Sequence, residues 1–135
     1  MRVSQELRVL VAERAGSRCE YCPIHEDDAA FAHEVDHVVS RQHGGDTSSE
    51  NLAYSCMICN RFKGTNVGSV DALGRIVRLF NPRTDRWQDH FRLEGAIFMP
   101  MTPSAEATAK LLRLNASERV IERSVLQRLG RYPRV

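Results

Sequence analysis

The sequence predicts an α+β protein stapled by a structural metal. Two observations carry that expectation. Two Cys-x-x-Cys pairs, Cys19 with Cys22 and Cys56 with Cys59, are separated by 33 residues. Four thiolates in two such pairs suit a tetrahedral zinc and leave no coordination position open for a substrate. Around them helical and strand-like patterns are interspersed, with no repeat, low-complexity tract or Ser/Gly-rich linker. A chain of 135 residues is long enough to bury one core and short of two. The expectation is a single domain over 1-135, with a zinc-bearing core at about 17-65 and an extension at about 70-135 packed on it.

Ser4 can cap a first helix that places Leu7, Leu10, Val11 and Ala15 on one face and ends at Gly16. The first cysteine pair follows at once. Phe31 to Val39 alternates loosely and reads as a strand with Asp36-His37 near its end. Ser40 to Ser49, with Gly44-Gly45, has no hydrophobic period and reads as a surface loop. A short helix is expected from near Cys56 through Asn60 and Lys63 to Gly64. Arg75 to Phe80 reads as a strand, Asn81-Pro82-Arg83 as a turn, and Glu94-Gly95 as the tip of a hairpin. Thr102 with Pro103 starts a helix that runs to about Leu114. Asn115 to Glu118 has capping-box spacing for a last helix, whose apolar face would be Ile121, Val125, Leu126 and Leu129.

Composition narrows the class. Hydrophobic residues at 42% and charged residues at 27% are those of an ordinary globular protein. No window approaches the run of about 18 apolar residues that spans a bilayer, and Met1 to Glu6 does not read as a secretory signal. A soluble, cytoplasmic protein without a membrane partner is expected. In a reducing compartment, cysteines read as metal ligands before disulfides. Charge is unevenly placed: residues 1-60 sum to −5 and residues 61-135 to +7. The asymmetry is either two solvated faces or an acidic metal site beside a basic surface for a polyanion. On the second reading Arg83, Arg86 and Arg92 are the first candidates for phosphate contacts. Trp87 and Phe91, four residues apart, read as core.

Between and around the cysteine pairs stand Val35-Asp36-His37, the Gly44-Gly45 turn, Asn51-Leu52 and Cys56-x-x-Cys59-Asn60-x-x-Lys63-Gly64. In that order the stretch resembles the HNH endonucleases in their four-cysteine, zinc-stabilised form, over about a third of the chain. The resemblance implies a ββα-metal (His-Me finger) core with additional N- and C-terminal helices, which spacing alone does not give. It implies DNA as substrate, Cys19, Cys22, Cys56 and Cys59 on a structural zinc, and Asp36 with Asn60 on a catalytic divalent cation. Many members carry His where this chain has Asn60. Carboxylate and amide oxygens favour a hard cation, Mg²⁺ or Mn²⁺. His37 would be the general base, an imidazole being part neutral near pH 7, and Asn51 would orient it. A regular strand points neighbours to opposite faces, so the resemblance further implies a distortion at Asp36-His37. Lys63 could reach a phosphate, Glu34 could be a further ligand or a support, and His25, His33 and His43 read as solvated. The function expected is a metal-dependent DNA endonuclease or nickase with little sequence specificity. The alternative is a zinc-bound nucleic-acid-binding module without catalysis, which would leave Asp36, His37, Asn51 and Asn60 unused.

Overall fold

The backbone amides at the head of a helix need acceptors, and Ser4 supplies one: its Oγ accepts from Leu7 N at 3.2 Å in the computed structural model, which describes residues 3–133. Helix α1 then runs Gln5–Arg14. Its Val11 is fully buried in a small core with Val3, Leu52 and Tyr54. Leu7 and Ala15 pack beside it, whereas Leu10 lies in solvent. The strand β1, Glu34–His37, pairs antiparallel with β2, Leu52–Ser55, in the register Glu34 opposite Ser55 to His37 opposite Leu52. Helix α2, Met57–Lys63, follows β2 directly, with Cys56 as its cap. The expected strand, loop and helix are therefore present. The first strand is shorter than Phe31–Val39, and Phe31 is exposed.

Two more hairpins follow: β3, Gly68–Val70, with β4, Ile76–Arg78, and β5, Phe91–Glu94, with β6, Ile97–Pro100. The second turns at Gly95, as the sequence predicts. A single helical turn, α3, Trp87–His90, lies between the hairpins. Helix α4, Pro103–Leu111, is capped by Thr102, whose Oγ1 accepts from Ala105 N at 3.0 Å. Its regular part stops before Leu114. Helix α5 spans Ser117–Arg128. The fold class is α+β, and no helix of the described residues is long and apolar enough to cross a membrane.

The larger core joins the cysteine knuckles to the second half of the chain. It contains all four cysteines and Tyr21 together with Phe80, Phe91, Phe98, Leu112, Leu114, Leu126 and Tyr132. Trp87 and Phe91 lie 5.3 Å apart between ring centroids, and Phe91 meets Phe80 and Phe98 edge-on at 5.8 and 6.1 Å. Each such pair adds about 0.5–1.5 kcal/mol beyond its buried area. Both aromatic residues are core, as expected.

Two expectations for the last helix fail. Asn115 caps nothing; its Oδ1 accepts from Phe98 N and its Nδ2 donates to Phe98 O, both at 2.8 Å, in the manner of a paired strand. Ala116 stands at the cap without a side-chain bond. The inward face is also different: Arg119, Arg123 and Leu126 are buried, while Ile121, Val125 and Leu129 are exposed. Arginine occupies an interior stripe here because each guanidinium finds partners. Arg123 donates to Ala96 O at 2.9 Å and lies 4.3 Å over the Phe98 ring.

Candidate functional site

The two knuckles meet. Cys19, Cys22, Cys56 and Cys59 are buried, and their sulfurs all lie within 4.8 Å of one another. Cys22 and Cys56 sulfurs are 3.7 Å apart. A tetrahedron with zinc–sulfur bonds of about 2.3 Å has edges of about 3.8 Å, so the cage has the size zinc requires. Each pair also forms the amide-to-sulfur turn that stabilises thiolates: Tyr21 N and Cys22 N donate to Cys19 Sγ, and Cys59 N to Cys56 Sγ, all at 3.4 Å. Without a cation the four sulfurs cannot all ionise. Burial pushes the Cys19 and Cys59 thiols well up, while hydrogen bonds from Cys19, Cys56 and Cys59 pull Cys22 well down. These opposed directions describe one cluster sharing too much negative charge, which a dication would resolve.

The second group forms where β1 faces α2. Alternation along β1 puts Glu34 and Asp36 on one face, and helix spacing puts Asn60 and Lys63 opposite them. Asn60 Nδ2 donates to Glu34 Oε2 in a short contact, which turns the amide oxygen of Asn60 away from Glu34. Lys63 is 2% exposed, and its Nζ lies 3.1 Å from His37 O and 2.9 Å from Asp36 Oδ2. Burial pushes the Asp36 carboxyl up, against the pull of the Lys63 ammonium. The Lys63 ammonium is the partner of this buried carboxylate oxygen, off the ideal hydrogen-bond direction. A carboxylate has about four acceptor sites, so one ammonium leaves room for a hard cation beside it. Lys63 is thus committed inwards and does not reach out towards a phosphate.

His37 belongs to the other face of β1. Its Nε2 lies 2.9 Å from Thr47 Oγ1 in the loop between the strands. Asn51 closes that loop: its Oδ1 accepts from Val39 N at 2.9 Å, and its Nδ2 donates to Val39 O at 2.9 Å and to Asp46 O at 2.8 Å. Gly45 passes so close that a Cβ there would sit 1.7 Å from Val39 O and 2.8 Å from Asn51 Nδ2. Among the described residues Asn51 makes no hydrogen bond to His37. It fixes the segment that carries Thr47, and Thr47 meets the imidazole. The expected distortion of the strand is also absent, since the ladder runs unbroken through Asp36 opposite Ala53 and His37 opposite Leu52. Asp36 and His37 therefore leave the strand on opposite sides, one towards α2 and one towards the loop.

The cysteines come together as the sequence predicts, and Asp36 and Asn60 lie on adjoining elements with Glu34 between them. Thr47 carries no sequence signal, because a loop threonine gives no hint of a partner ten residues back. His33 is a correction: it is 6% exposed, with Nε2 2.9 Å from Ile24 O and its ring edge-on to Tyr54. Arg83 is another, because its guanidinium pairs with Glu20 in a short contact instead of facing solvent.

Residues 19–66 match the family model described as HNH endonuclease. The matched stretch, about a third of the chain, holds both cysteine pairs, β1, the loop, β2 and α2, so this part of the chain is similar to that family. No curated protein and no solved structure matches the chain.

Proposed function

From the premise that residues 19–66 are similar to the HNH endonuclease family, we propose that the chain is a metal-dependent DNA endonuclease with His37 as general base. The observation that carries this is the meeting of β1 and α2, which sets Asp36 and Asn60 on facing elements with the half-buried His37 next in the strand. Asp36 and Asn60 would hold a divalent cation through oxygen, and their donor type fits Mg²⁺ or Mn²⁺. Such an ion supplies positive charge against the phosphate and the departing oxygen. The four cysteines would hold a structural zinc.

The residues of β1, the following loop and α2 have separable tasks. In the tautomer where His37 Nε2–H donates to Thr47 Oγ1, Nδ1 is the ring nitrogen that accepts a proton from water. Asn51 keeps Thr47 in place by closing the loop on Val39 and Asp46. Glu34 holds the Asn60 amide nitrogen, so that the amide oxygen is presented. Lys63 neutralises part of the charge on Asp36 and braces the strand at His37 O. We read the 135 residues as one unit, because the larger core draws side chains from Cys19 to Tyr132. The sequence carries no recognition helix with finger-type spacing, which supports cleavage with little sequence preference.

The test is incubation of the purified protein with supercoiled plasmid under Mg²⁺, Mn²⁺ or chelator. Nicks in either metal and none in chelator are expected. Binding without cleavage in Mg²⁺, Mn²⁺, Co²⁺ and Ni²⁺ would contradict the proposal and favour the zinc-bound binding module.

A further inference from the structure

A guanidinium is costly to bury unless an anion meets it. Arg119 on α5 is 5% exposed and forms no ion pair with a carboxylate among the described residues. Its Nη1 donates to Leu112 O at 2.7 Å, and its Nη2 to Cys59 Sγ at 3.2 Å, with Cys56 Sγ at 3.9 Å. The buried arginine thus takes the cysteine sulfurs as its counter-charge. The sulfurs have a matching need, because four thiolates around a dication keep two excess negative charges inside the core.

Other side chains of the second half also reach the knuckles, but only at the backbone. Tyr132 Oη donates to Cys22 O at 2.8 Å and Trp87 Nε1 to Tyr21 O at 3.0 Å. Arg119 alone among these touches sulfur. We infer that Arg119 is a working member of the zinc centre: its guanidinium offsets the charge of the tetrathiolate and hydrogen-bonds Cys59, so that zinc affinity depends on a residue some 60 positions beyond the last cysteine. The reciprocal follows by linkage, and zinc in the cage favours the docked position of α5. This inference rests on the zinc reading of the four cysteines and is independent of whether the chain cleaves DNA.

The experiment uses the full chain and two readouts. Zinc affinity is measured by competition with a chromogenic chelator. Sulfur electronics are read from the thiolate-to-metal charge-transfer band of the Co²⁺-substituted protein. In R119M the zinc affinity is expected to fall about 10–100-fold, the usual worth of a partner behind a metal ligand. The band is expected to move to lower energy, because a sulfur relieved of its N–H donor gives up charge more easily. Y132F loses an anchor to the same centre without losing a contact to sulfur, so its band should stay where the wild type has it. If R119M does not fold, R119Q, which removes the charge but keeps a donor, carries the affinity comparison, and R119L the band comparison. A wild type that binds zinc while the folded Arg119 variant keeps wild-type affinity and band would overturn this inference alone. A folded wild type that binds no zinc would overturn the zinc reading and this inference together.

Discussion

Asn51→Ala removes three hydrogen bonds with one side chain, and the structure fixes what each is worth. The bond to Asp46 O is exposed, so water replaces it at small cost. The two bonds to Val39, both at 2.9 Å, are part-buried, and each contributes about 0.5–1.5 kcal/mol net. The expected loss is about 1–3 kcal/mol, read as a lower urea midpoint at unchanged slope. Asn51→Asp keeps the acceptor for Val39 N but turns a carboxylate oxygen towards the carbonyls of Val39 and Asp46. It should do no better than Ala at neutral pH. Zinc content should stay at the wild-type level, since no cysteine lies in the loop. Cleavage should fall with the loop, because Thr47 would no longer be held against His37. Wild-type stability together with wild-type amide-exchange protection across residues 39–51 would refute the reasoning.

Lys63→Met leaves the buried Asp36 carboxylate without its ammonium at 2.9 Å and should cost about 3–5 kcal/mol; added Mg²⁺ should raise the melting temperature of this variant more than that of the wild type, and equal responses in a melting series would contradict the account. The salt dependence of DNA binding should be shallower than the +7 of residues 61–135 suggests, because Arg119 and Arg123 are buried and Arg83 and Arg131 pair with Glu20 and Asp28 from outside that stretch. Arg61 and Arg86 are exposed and join no ion pair among the described residues, so replacing either by Ala should lower the slope of log affinity against log salt by about one. Arg83→Ala should leave that slope unchanged and lower stability instead.

What was legible in the sequence is what depends on near neighbours. Ser4 and Thr102 cap helices through residues three positions on, Gly95 turns a hairpin, and the second cysteine pair sits where α2 must begin. The spacing of the four cysteines carried the metal centre because ligand chemistry is strict. The parts that were missed depend on distant partners. Asn115 has the pattern of a cap but finds the Phe98 backbone 17 residues away. The apolar period of α5 pointed to the wrong face, because Arg119 is stable inside only once sulfurs from Cys56 and Cys59 surround it. Lys63 reads as a surface cation until Asp36 comes within 2.9 Å across the strand–helix contact. Asn51 bonds Val39 and Asp46 and meets His37 only through the loop that carries Thr47, a route that no near-neighbour pattern discloses.

The measurement that bears most directly on the central claim is the single-turnover cleavage rate of His37→Ala protein, matched to the wild type in zinc content and DNA affinity. Removing a positioned base should lower the rate about 10²–10⁴-fold, while the two matched properties hold because His37 touches neither the cysteines nor the exposed arginines. A His37→Ala protein that cleaves at the wild-type rate would contradict the assignment of His37 as the base, and with it the mechanism built on β1.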